Sequence, residues 1–147
     1  MRRIYVGLAA LAVVTAAAGA YAVEDPIFTR KALMGANGAA AGAATAMIKE
    51  EVAFHPGVAK SVFATLRAVA YSYGDNFPAG SDQGETKASP KIWEDSAGFA
   101  AALTKFQQDA DAALAANPQD LDAFKAAFGQ VAGNCKACHD AFRLPMN

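Results

Sequence analysis

Apolar residues recur along most of this chain at steps of three and four, the period of helices and not the alternation of strands. The pattern predicts four helices and one long loop. The first helix takes Asp25 as N-cap and Pro26 as its first residue, and runs to about Phe54, where His55-Pro56 breaks it. The second runs from about Gly57 to Tyr73, with Val58, Val62, Leu66, Val69 and Tyr73 on its inward row. A loop rich in Gly, Ser, Asp and Pro covers 74–89. The third helix starts at Ser89-Pro90, again a cap followed by proline, buries Phe99, Leu103, Phe106 and Ala113, and ends at Asn117-Pro118. The fourth runs from about Asp120 to Leu144 and carries the clearest pattern: Leu121, Phe124, Phe128, Val131, Cys135, Cys138 and Phe142 fall on one seam. A heptad seam of this kind is the geometry of an all-α four-helix bundle.

Both cysteines of the chain lie on that seam, within Cys135-Lys136-Ala137-Cys138-His139. C-x-x-C-H is the pattern for covalent attachment of haem c. Thiols three residues apart on a helix lie about one turn apart on one face. That spacing lets both add across the vinyl groups of one haem. His139 sits four residues after Cys135, so its imidazole can reach the iron as proximal ligand. Competing readings are a half zinc site or a dithiol redox pair. Zinc needs about four ligands, and beyond these three the chain offers only His55 and carboxylates. A thioredoxin-like dithiol expects a strand–helix–strand setting, which the pattern lacks.

Haem c is attached after export, and the N-terminus reads as an export signal. Met1-Arg2-Arg3 is basic, Ile4 to Ala20 is apolar, and Ala20-Tyr21-Ala22 is an A-x-A cleavage site. Residues 1–22 are therefore expected to be a signal peptide cut after Ala22, with 23–147 a single domain in a bacterial periplasm. An uncleaved membrane anchor is the competing reading, since the apolar stretch is of borderline length. Removing 1–22 leaves 11 basic residues against 14 acidic, a net charge of about −3 with His neutral. No basic patch stands out, which argues against a general nucleic-acid binder. No other segment could span a membrane.

The first helix offers a group for the far side of the iron. Met34 shares a row with Ile27, Ala41 and Ile48 and so faces inward. Around it lie Gly35, Ala36, Gly38, Ala39, Ala40, Ala41, Gly42, Ala43 and Ala44. Small residues leave room for a flat haem; they also suit close helix packing, within the bundle or across a dimer. Each Gly weakens a helix by about 1 kcal/mol relative to Ala, so three in one helix suggest a packing reason. An inward Met is by itself more often core filler than ligand. Met47 lies on a different row, and His55, at a helix break, suits a solvated or capping role.

At this point the chain resembles the class II c-type cytochromes, the cytochrome c-prime family. The resemblance rests on Cys135-Lys136-Ala137-Cys138-His139-Asp140-Ala141-Phe142-Arg143, on Arg30-Lys31-Ala32-Leu33-Met34, and on Gly84-Glu85-Thr86-Lys87-Ala88-Ser89-Pro90-Lys91-Ile92-Trp93. It implies an antiparallel up-down bundle with one covalent haem c near one end. In the family's high-spin branch the residue four after the helical arginine is Leu or another non-ligating group, and the five-coordinate iron binds NO and CO. In the low-spin branch that residue is a ligating Met. Here it is Met34, so the resemblance implies Met34 as distal ligand, with Leu33 over the iron as the alternative. It also implies Arg30, and less directly Thr86 and Lys87, as partners of the haem propionates. Trp93 is expected to anchor the start of the third helix, and Arg143 to lie near His139.

The function expected from this is an electron carrier with a six-coordinate His/Met haem, and no catalytic residues. The alternative is a five-coordinate protein that binds NO or CO. Weak peroxidase activity ranks below both, because no distal His/Arg pair stands out. The expected partners are redox proteins and, through the first two helices, a second copy of the chain.

Overall fold

The structure is a computed structural model that describes residues 25–145; the expected signal peptide, residues 1–22, lies outside the described residues. Five α-helices are present: α1 Pro26–Ile48, α2 Pro56–Ser72, α3 Lys91–Glu94, α4 Ser96–Ala116 and α5 Leu121–Phe142, with a 3₁₀ turn at Gly74–Asn76. The four long ones form the antiparallel up-down bundle. Each packs on the next in chain order, and α5 closes back on α1.

α1, α2 and α5 open on side-chain caps, of which Asp25 and His55 were expected in that role. Asp25 accepts from the Ile27 amide at 2.9 Å, and Pro26 opens α1. His55 caps α2, its Nδ1 accepting from Gly57 N at 3.1 Å. Asp120 caps α5 through Ala123 N at 2.8 Å. Asn117 takes a left-handed φ of 43° after α4, the usual way to turn a chain off a helix end.

Two boundaries and one burial differ from expectation. α1 stops at Ile48, not Phe54. The amides of Glu50 and Glu51 bond back to Met47 O and Ala46 O, with Glu50 at φ 60°. This is the paired closing motif of a helix C-terminus, here without its usual glycine, so no composition signal announced it. The expected third helix is two. Asp95 breaks it at φ −120°, ψ 58° and caps α4 by accepting from Gly98 N at 3.0 Å. A Cβ at Gly98 would sit 2.4 Å from Asp95 Oδ2, so glycine leaves room for this rotamer of the capping carboxylate. Val58, expected inward, is 43% exposed. It lies on a groove between α1 and α2, while its neighbour Ala59 takes the fully buried place in that turn.

The core has two parts. The larger joins Ala44, Met47, Phe63, Leu66, Phe124 and Val131, all nearly inaccessible. Met47 is thus core filler. The second is a small aromatic cluster at the other set of helix turns: Ile92, Phe99 and Phe142 with Tyr73, Phe77 and Trp93 against them. Its rings meet edge to face, Phe77–Phe99 at 4.8 Å and Phe99–Phe142 at 5.4 Å, the arrangement that ring quadrupoles favour. Trp93 Nε1 donates to the carbonyls of Phe77 and Pro78, so Trp93 anchors the loop as well as the start of α3.

Candidate functional site

A cavity of about 580 Å³ opens beside the aromatic cluster. It is bounded by α1, the 86–88 segment, α3, α4 and α5. From α5 it receives Cys135, Cys138 and His139, and from α1 Ile27, Arg30, Met34, Asn37, Gly38 and Ala41. The helical period dictates both sets. Residues at steps of three and four share a face, and the faces that the bundle leaves uncovered here are these two. All seven residues expected at the site line this one cavity: Cys135, Cys138, His139, Met34, Arg30, Thr86 and Lys87. Leu33 is not among its lining residues.

No disulfide joins Cys135 and Cys138. Burial pushes both thiols up from their ordinary pKa, with Cys135 raising Cys138 a little further. Burial likewise lowers His139, helped by nearby Arg143 and opposed by Asp140. A neutral imidazole is the form that can donate a lone pair to a metal. Tyr73, largely desolvated, is pushed up to about 12.

Arg30 is 3% exposed. Its guanidinium donates to Ser81 O at 2.7 Å, Ser81 Oγ at 3.1 Å, Asn76 O at 3.3 Å and Thr86 Oγ1 at 3.4 Å, and lies over the Phe77 ring. These acceptors are all uncharged. Desolvation lowers the Arg30 pKa, yet an arginine stays cationic in any protein. Arg30 therefore staples the long loop onto α1 and leaves a buried positive charge in the wall. The loop is held a second time, now to the end of α5, by an isolated antiparallel bridge, Ala88 to Arg143, with Ser89 N donating to Phe142 O and Leu144 N to Lys87 O. That bridge fixes Thr86 and Lys87 at the cavity edge. Gly84, at φ 110°, makes the turn before them where a side chain would be strained and would crowd Ile27 Cδ1 at 3.2 Å.

The small-residue stretch of α1 is divided between two surfaces. Gly38 and Ala41 face the cavity, whereas Ala36, Ala39, Ala40 and Ala43 line a shallow groove against Val58, Ser61, Val62 and Thr65 of α2. A Cβ at Gly35, Gly38 or Gly42 would meet no atom within 4 Å. Close packing inside the bundle is thus not what calls for these glycines.

These residues fit a haem c. Two thiols and an imidazole share one helical face, the walls are mostly apolar, and the volume lies in the usual cofactor range of about 300–1,000 Å³. Every formally charged residue in the lining is a cation, Arg30, Lys31, Lys87 and Arg143, which suits a group carrying carboxylates.

The sequence profile described as Cytochrome C' matches residues 25–143. The chain belongs to the cytochrome c' family. It is 39% identical over 125 residues to cytochrome c' of Rhodopseudomonas palustris, covering 84% of this chain and 85% of that one. It is 34% identical over 127 residues to cytochrome c-556 of Agrobacterium fabrum, covering 86% of each. The fold superposes on solved cytochrome c' from Rhodopseudomonas palustris with a TM-score of 0.79, at 38% identity and covering 84% and 98% of the two chains. For cytochrome c' from Shewanella frigidimarina the TM-score is 0.76, at 35% identity and covering 82% and 95%. As in its family, the cofactor is one covalently attached haem c. The protein is a haem c electron carrier or small-ligand binder. The family is typically five-coordinate, so membership favours the gas-binding alternative over the expected six-coordinate His/Met iron.

Sequence reasoning missed Asn37, Ser81, Asn76 and Phe77. Asn37 was within reach of helical spacing, three residues after Met34. The other three belong to the loop, where no period operates.

Proposed function

We propose that this chain is a periplasmic haem c protein in which His139 would hold the iron, and the bound group would supply ferric–ferrous electron chemistry and a position open to NO or CO. The observation that carries this is the convergence of Cys135, Cys138 and His139 on one apolar cavity walled on another side by α1. Cys135 and Cys138 would carry the thioether links. When bound, haem c supplies one-electron chemistry and a coordination position for diatomic gases. The chain's own residues do the rest. Apolar walls from Ile27, Ala41, Phe99 and Phe106 exclude water. Arg30, Thr86 and Lys87 serve the propionates, with Arg30 Nε the donor its loop contacts leave over.

A second reading has one specific observation behind it: Met34, and not Leu33, lines the cavity. In that reading the Met34 thioether closes the sixth position, raises the potential and yields only to a strong ligand. Ferric and ferrous spectra with and without CO separate the two. A high-spin spectrum that shifts at once with CO supports the open site. A low-spin spectrum unmoved by CO, with a weak far-red ferric band that Met34→Ala abolishes, overturns it in favour of Met ligation.

The cations around the cavity mouth suit an acidic redox partner. The groove between α1 and α2 suits a second copy of the chain, in keeping with the dimers common in the family. Among the described residues no helix is long and apolar enough to cross a membrane, and the expected signal peptide would deliver the chain to the periplasm.

A further inference from the structure

Among the polar groups of the cavity wall, one has no explanation so far. Asn37 lines the cavity one turn beyond Met34 on α1, and its Oδ1 is shut off from solvent with no hydrogen-bond partner. Buried carboxamides nearly always find partners. The other amide of the wall, Asn134, does: its Nδ2 donates to Asp109 Oδ2 at 2.7 Å and to the carbonyls of Gln130 and Val131. Arg30 and Thr86 are likewise engaged with the loop.

A carboxamide offers two donors and an acceptor, and a half-turn about its last bond exchanges the two ends. We propose that Asn37 is a distal hydrogen-bond donor: its Nδ2–H₂ holds the outer atom of a small diatomic ligand at the iron face opposite His139. The ligand class is CO or NO, whose outer atom gains negative charge on binding ferrous iron and so accepts a hydrogen bond. Beyond Met34 on α1 the other cavity residues, Gly38 and Ala41, have no side-chain donor, so Asn37 would set the polarity of that part of the site and with it the choice among gases. This deepens the open-site reading above and rests on it.

The test is the infrared C–O stretch of the ferrous CO complex of the haem-loaded protein. It is read in the parent, Asn37→Leu and Asn37→Ala, and again with all three in a Met34→Ala background, where no sulfur can occupy the sixth position. Loss of a donor weakens back-donation into CO. The band is therefore expected at higher wavenumber in both Asn37 variants, with CO leaving about 2- to 10-fold faster, the worth of one neutral hydrogen bond. Leu and Ala change the volume in opposite senses. Band shifts of opposite sign therefore read volume and overturn the proposal, as does an unmoved band in the Met34→Ala background. A parent that forms no CO complex, beside a Met34→Ala protein that does, sinks the open-site reading alone. Asn37 is then judged in the Met34→Ala set.

Discussion

Replacing Arg30 by Met keeps an unbranched apolar stem, shorter than that of arginine, and removes the charged fork. Two of the four bonds it donates are well formed, to Ser81 O at 2.7 Å and Ser81 Oγ at 3.1 Å. A hydrogen bond involving a charged group is worth about 1.5–3 kcal/mol, so these two amount to roughly 3–6 kcal/mol. The bonds at 3.3 and 3.4 Å add little. Against this stands the cost of desolvating the cation, several kcal/mol, which Asp25 and, in the haem-loaded protein, a propionate would offset in part. The balance is a loss of about 1–3 kcal/mol in Arg30→Met. Urea unfolding of the haem-loaded protein followed by circular dichroism gives the global figure. Hydrogen exchange read by mass spectrometry gives its location: amides of 76–86 should exchange faster while those of α2 and α4 do not. Arg30→Lys, which keeps the charge but loses the fork, should recover less than half of the loss. An Arg30→Met protein within about 0.5 kcal/mol of the parent, with loop exchange unchanged, would refute the staple.

The other predictions concern separate parts of the molecule. Phe124→Ala, at a side chain with no exposure that meets Phe54, Phe63 and Phe128, should cost about 3–5 kcal/mol in chemical denaturation. Asp109 is held below the usual carboxylate range by hydrogen bonds from Lys105 and Asn134. A depressed acid stabilises the fold above its unfolded pKa, and that contribution fades as pH falls through the folded one. Melting of the parent should therefore drop below about pH 4 more steeply than that of Asp109→Asn. Gly84→Ala forces a left-handed φ on a side chain and should cost about 1–2 kcal/mol by thermal melting. If acidic partners dock at the cavity mouth, the rate of electron transfer to one should fall as salt rises and fall again in Lys87→Glu, by stopped-flow absorbance.

How much was legible in the chain differs from element to element. The spacing of Cys135, Cys138 and His139 is a local property, so the motif, its helix and its inward face could all be read directly. The caps at Asp25 and His55 were readable for the same reason: each side chain bonds an amide two residues ahead. α1 was read too long because Glu50 adopts a conformation in which glycine is the usual signal. The break at Asp95 was missed because a good N-cap and a helix interior can carry the same residue. Only the tertiary structure decided that Met34 and not Leu33 lines the cavity. Neighbours on a helix differ by about 100°, and which of them meets α5 depends on how the two helices pack. It decided also that Arg30 reaches across 51 residues of chain to Ser81, and that Asn37 is left without a partner. Those contacts depend on where distant elements come to rest, and no local spacing records that.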